Sequence, residues 1–205
     1  MEGLLHPDAG DITIGSIDAR AHPLRAKAQM GVQLQSTSFH SDLTLLEIVR
    51  LFAGLYGVSL SAEQMRDRMA EIQLHAEASK RFRELSGGQQ QRFSLLIATI
   101  HDPPLVLLDE PTAGLDPQAR RQLWDRIEGS RKEGRSILLT THSMEEAQAV
   151  CDRVAIMDHG KILTVDTPAR LIETHRKDPR VREVARGEVT LEDVFIGLTG
   201  RELRD

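Results

Sequence analysis

The chain has 205 residues, a net charge of -5, 40% hydrophobic and 28% charged residues, and only 3% aromatics. That balance suits one soluble domain with a sizeable core and a smaller lobe, and it argues against broad electrostatic binding of nucleic acid, which wants basic surface and aromatic platforms for stacking. No stretch approaches the roughly 20 consecutive apolar residues of a membrane span, and the opening Met-Glu-Gly-Leu-Leu-His-Pro lacks the basic region, apolar run and cleavage site of a secretory signal, so a cytosolic location is expected.

Residues 10–18 alternate apolar and polar side chains and predict a half-buried strand, with a second strand over Met30 to Leu34. From there to Glu84 the pattern turns helical. Thr44 with Glu47, and Ser61 with Gln64, fit the capping box in which each side chain satisfies the other's exposed backbone donor. A helical lobe, residues 36–84, is thus inserted between strands. Ser86 opens a helix running to about Ile100, and Pro103 and Pro104 stop it ahead of a strand from Leu105 to Asp109. Asp116 caps the next helix with Pro117 at its first position, and Gly134 ends it before a strand from Ser136 to Thr141. Ser143 with Glu146 caps another helix, in which Cys151, the one cysteine, is a small core hydrophobe with no chemistry assigned. Strands are expected at Arg153 to Met157 and at Lys161 to Val165. A helical tail, residues 166–205, starts at Thr167-Pro168 and carries a further capping signal at Thr190 to Asp193. The basic stretch from His175 to Arg182 is read as a solvated linker between helices. Alternation of strands and helices implies α/β architecture, a parallel sheet covered by helices.

Two patterns carry chemistry. Residues 85–89 read Leu-Ser-Gly-Gly-Gln, and the strand Leu105 to Leu108 delivers Asp109 and Glu110 at its end. A serine and two glycines opening a helix make a tip that grips phosphate through backbone N–H groups and the positive end of the helix dipole. Two acids at the C-terminal edge of a buried strand make a metal and water site. A serine-capped helix after a flexible turn, or two acids ending a strand in solvent, are the bland alternatives. Neither explains why the two patterns occur together, with Pro111-Thr-Ala-Gly-Leu-Asp116 following at once.

Together these residues resemble the ATP-binding subunit of an ABC transporter, over nearly the whole chain. The ending Thr190-Leu-Glu-Asp-Val-Phe-Ile-Gly-Leu-Thr-Gly-Arg-Glu-Leu203 is similar to the C-terminus of subunits from drug and antibiotic exporters. The resemblance implies a P-loop NTPase-type core with an inserted helical lobe in a single domain, residues 1–205. It also implies ATP and Mg2+ as ligands, a second ATP-binding subunit and a membrane permease as partners, no nucleic acid, and a peripheral place on the cytoplasmic membrane face. Each ATP would lie between two subunits. Ser86, Gly87, Gly88 and Gln89 would touch the γ-phosphate held by the opposite copy. Asp109 would face magnesium, Glu110 would polarise the attacking water, and His142 would be the switch histidine on the γ-phosphate. Gln35 resembles the glutamine that senses magnesium and relays its state to the membrane subunit, with Gln33 its rival. Asp116 has two expected jobs, capping its helix and contacting the opposite subunit.

One family part is absent from these 205 residues: no run reads G-x-x-x-x-G-K-[ST]. Gly10 to Gly15 has the glycine spacing, but Ser16 replaces the lysine. Gly129 to Ser136 follows a helix and enters a strand, the reverse of a phosphate cradle. The expectation is an N-terminally shortened subunit, without the strand and loop that precede Gly3 to Gly10, and inactive by itself. The alternative is a degenerate subunit that lends its Leu-Ser-Gly-Gly-Gln to a complete partner.

Overall fold

The structure, a computed structural model, describes residues 7–35 and 39–200. Part of the Gly3 to Gly10 segment, the first positions of the expected lobe and the ending from Arg201 lie outside these residues. The chain divides into two compact units, Met1–Thr140 and Thr141–Asp205.

In the first unit, β1 (Thr13–Ile14) and β2 (Ile17–Asp18) form an antiparallel hairpin. This corrects the single strand expected over 10–18. The chain reverses at Gly15, whose φ of +59° only glycine adopts without strain. Asp18 then accepts the N–H groups of Arg20 and Ala21 and leads into α1 (Pro23–Lys27), a short helix with proline at its first turn that the apolar pattern did not predict. After β3 (Met30–Gln33) come α2 (Leu45–Leu55) and α3 (Ala62–Glu71), each opened by its expected capping box. Next are α4 (Gly87–Ala98), β4 (Leu105–Asp109), α5 (Pro117–Lys132) and β5 (Ser136–Thr140).

β3, β4 and β5 form a parallel sheet in that order, with Gln33 opposite Leu108 and Asp109 opposite Thr140. β4 lies in the middle, and its Val106, Leu107 and Leu108 are buried on both faces as a central parallel strand requires. β5 pairs with β4 alone among the described residues, and Leu138 on it is 51% exposed. α4 packs against β3 so closely that a Cβ on Gly31 would sit 1.9 Å from the Ala98 carbonyl oxygen.

The helices of the lobe share a core with α4 and its C-terminal end, made of Leu45, Ile48, Met69, Leu74, Phe93 and Ile100, with the rings of Phe39 and Phe82 edge to face at 4.8 Å. Each such side chain contributes about 1.5–3 kcal/mol on leaving water. α3 is also pinned to the entrance of the sheet: Arg68 reaches Asp102 at 3.0 Å, and Asp102 reaches Arg135 at 2.9 Å. Burial by itself would raise the Asp102 carboxyl, but hydrogen bonding from Arg68 and the charges of Arg68 and Arg135 hold it below the usual carboxylate value.

The second unit holds α6 (Met144–Val150), β6 (Val154–Asp158), β7 (Lys161–Asp166), α7 (Pro168–His175), α8 (Pro179–Val184) and α9 (Leu191–Thr199). β6 and β7 pair as an antiparallel hairpin across His159 and Gly160, both at positive φ, the conformation a two-residue hairpin loop demands. The expected linker 175–182 is instead partly helical. Asp178 caps α8 by accepting the Arg180 N–H at 3.0 Å, and Pro179 stands at its first position. Val181 from α8 then joins Ala147, Ile156, Leu171, Leu191 and Val194 in the core. Cys151 ends α6 in extended backbone, half-buried, rather than sitting within a helix.

Candidate functional site

Ser86 stands just before the first turn of α4. Its Oγ accepts the Gln89 N–H at 3.4 Å, and Gln89 Oε1 accepts the Ser86 N–H at 2.9 Å. The reciprocal cap fixes the tip and leaves Gly87 and Gly88 as first-turn residues whose N–H groups have no intrahelical acceptor. Gly88 also lets α4 and α5 approach closely, since a Cβ there would meet the Ala119 Cβ of α5 at 3.0 Å. Asp116 caps α5 by accepting the N–H groups of Gln118 and Ala119, each at 2.9 Å. The starts of these two helices line one cleft of about 330 Å3, among Ser86, Gly87, Gly88, Gln89, Arg92 and Asp116. The start of α4 and the Arg92 side chain favour an anion in this cleft, whereas the start of α5 is already taken by the Asp116 carboxylate.

At the end of β4, the Thr140 hydroxyl donates to Asp109 Oδ1. Glu110 follows with φ at +45°, in the left-handed region where a residue with a side chain costs on the order of 1–3 kcal/mol. The neighbours hold it there: its N–H donates to the Thr140 carbonyl at 3.0 Å, and its own carbonyl accepts the Ala113 N–H at 3.1 Å. This turn swings the Glu110 side chain toward β3, where Gln35 Nε2 donates to Glu110 Oε2 at 3.0 Å. Gln35 also lines a second cleft, of about 300 Å3, together with Gly87, Gln90, Gln91 and Gly114. The strand-end glutamine thereby has a neighbour on each side, the helix tip and the carboxylate. Gln33, the rival candidate, points elsewhere. It is 1% exposed, and its side-chain N–H donates to Gln91 Oε1 on α4.

The first unit accordingly holds Ser86, Gly87, Gly88, Gln89, Gln35, Asp109, Glu110 and Asp116. His142 lies in the second unit, exposed, immediately ahead of the Ser143 that caps α6. Among the described residues no group of three or more His, Cys, Asp or Glu gathers as a metal cage. Mg2+ does not need one. It takes one or two carboxylates with phosphate oxygens and water, and the oxygens of Asp109 and Gln35 suit that hard cation. Three features escaped the sequence: the left-handed backbone of Glu110, Thr140 as the partner of Asp109, and the Gln33 to Gln91 bond. Only the register of β4 with β5 would have pointed to Thr140.

Residues 1–113 match the family described as ABC transporter. The chain is 38% identical over 175 residues to the Nod factor export ATP-binding protein I of Rhizobium sp. (strain N33), covering 84% of this chain and 58% of that protein. It is 32% identical to the protein of the same name from Burkholderia thailandensis, covering 99% of this chain and 83% of that one. The chain thus spans a little over half the length of the first of these relatives, and more of the second. Among solved structures, one described as the ATP binding subunit of an ABC transporter superposes with a TM-score of 0.81 at 27% identity, covering 96% of this chain and 79% of that one.

Proposed function

The chain belongs to the ABC transporter family, among its ATP-binding subunits, and from that premise we propose that it binds and hydrolyses ATP to power export through a separate membrane permease. The observation that carries the reading is the Gln35 to Glu110 hydrogen bond at the sheet edge, beside a capped helix tip that shares a cleft with Gln35. Export is the activity named for the two relatives, and it comes to this chain as part of the proposal.

In this reading Ser86, Gly87, Gly88 and Gln89 of one subunit bind the γ-phosphate held by a second subunit. Glu110 orients the attacking water and takes its proton, a role that a carboxylate held by a neutral amide can fill. Asp109 and Gln35 would hold Mg2+, which when bound neutralises charge on the phosphate oxygens. For His142 we propose contact with the γ-phosphate, and for Asp116 a contact with the opposite subunit in addition to its cap. The 36–84 lobe would meet the permease and place the subunit on the cytoplasmic face of the membrane. Among the described residues no helix is long and apolar enough to cross a membrane. Nucleic acid is not among the proposed partners.

The 205 residues contain no G-x-x-x-x-G-K-[ST] run, so the chain alone is expected to hydrolyse little ATP. Fusing a strand, loop and helix with that run ahead of residue 1 should create hydrolysis that Glu110→Gln removes. A second reading has its own support, since the tip is fully formed in a chain without the lysine loop. There the chain lends Ser86 to a complete partner. Mixing it with an intact subunit of the family would then raise ATPase activity, the gain surviving Glu110→Gln and vanishing with Ser86→Arg. Vigorous hydrolysis by the unmodified chain would overturn the second reading and the expected need for a lysine loop.

A further inference from the structure

We propose that Gln33 is a positioning residue that couples the tip of α4 to the carboxylate end of the sheet, a role that rests on the ATPase reading above. Gln33 is the last residue of β3 and is almost wholly enclosed. Its amide N–H donates to Gln91 Oε1, while its own oxygen is buried with no hydrogen-bond partner. Leaving an amide acceptor unpaired in a core works against folding, and a leucine of similar size would avoid it. The fold by itself gives no reason to keep a glutamine here.

Its position gives one. In extended chain, residues two apart share a face, which sets Gly31 and Gln33 together and carries on toward Gln35. Gly31 lies on the Ala98 carbonyl at the far end of α4, and Gln33 holds Gln91 near its start, so α4 runs antiparallel to β3. The Ser86 end of α4 therefore emerges beside Gln35, which lines a cleft with Gly87 and donates to Glu110. One short stretch of backbone grips the helix at Gln33 and the carboxylate at Gln35. When Glu110 exchanges its amide partner for water, the displacement of Gln35 passes through two residues to Gln91 and on to Ser86. The two half-sites of one chain, which serve two different nucleotides, are in this way kept in step.

The test uses the full 205-residue chain with Gln33→Leu, Gln91→Leu and the pair together. Backbone amide exchange is read at Gln89 and Gln90, both of which bond to Ser86. Gln33→Leu should leave the melting temperature unchanged or raised and speed exchange at these two amides about tenfold, equivalent to about 1.4 kcal/mol. Mixed with an intact family subunit, it should lower kcat about tenfold with KM for ATP unchanged. The double variant removes both amides, folds as well as the parent and keeps the fast exchange. Gln35→Ala should speed the same amides in the parent chain and add nothing once Gln33 is leucine. Unchanged exchange in Gln33→Leu, or recovery in the double variant, overturns the proposal. So does a lowered melting temperature with exchange raised evenly along β3 and α4, the mark of a residue that only supports the fold. If the parent mixture shows no gain in ATPase, the reading in which the chain lends Ser86 fails, and if the loop-fused chain shows no hydrolysis, the ATPase reading fails; the exchange data still decide the role of Gln33.

Discussion

The two halves of the candidate site are built in different ways. The α4 tip is made by neighbours in sequence: Ser86 and Gln89 cap each other across three residues, and the glycines between them need no distant support to expose their N–H groups. The carboxylate end is assembled from three strands, because Glu110 is held by Thr140 from β5 and by Gln35 from beyond β3. A local device is built without strand pairing and meets the sheet through the Gln33 to Gln91 bond, whereas an assembled one depends on strand register and on a strained backbone. The tip should accordingly lose stability when altered, and the strand end should lose chemistry.

The sharpest test of that contrast is Glu110→Gln in a chain supplied with a phosphate loop. ATPase rates should fall about 10²–10⁴-fold, the usual worth of a positioned general base, with no change in melting temperature. A large loss of stability would mean that the carboxylate serves the fold. Next in size is Gly31→Ala, which drives a methyl into the Ala98 carbonyl and should destabilise the protein by about 1–3 kcal/mol in urea titrations. Its circular dichroism should still show α4, since the Ser86 cap is untouched. An unperturbed Gly31→Ala chain would mean that β3 and α4 are not tightly packed.

Ser86→Ala should remove about 1 kcal/mol through loss of the cap, seen as a lower urea midpoint, together with any gain in activity on mixing. The smallest effect is expected for Asp102→Asn, which cuts the tie between α3 and the sheet entrance. The pair is half-exposed, so about 0.2–1 kcal/mol is at stake. Asp102 has a lowered folded pKa, so its contribution is present at neutral pH and disappears as pH falls below the unfolded value of 3.8. The stability gap between parent and Asp102→Asn should narrow on acidification through that range, and a gap that widened would contradict the assigned partners.

Sequence reasoning worked where the forces are local. Every expected cap, at Thr44, Ser61, Ser86, Asp116, Ser143, Thr167 and Thr190, accepts a backbone N–H near the start of its helix. The apolar run of β4 coincides with its observed bounds for the same reason, since a continuous buried stretch between two prolines and two acids leaves little freedom. The errors came where periodicity was read without turn chemistry. Gly15 splits the expected first strand into a hairpin, and Asp178-Pro179 starts a helix within a stretch read as a linker from its mixed charges and its place between helices.

What the 205 residues determine by themselves is thus the capped helices and the strands of the parallel sheet, the helix tip at Ser86, and the delivery of Asp109 and Glu110 to a strand end. These follow from hydrogen-bonding and burial rules that act over a few residues. Tertiary structure alone decided that Gln35 bonds to Glu110 while Gln33 turns to Gln91, that Thr140 orients Asp109, and that His142 falls in a separate compact unit. Those facts depend on strand register and on which helix crosses which strand. They are set by the packing of side chains far apart in the chain, and no window of neighbouring residues contains them.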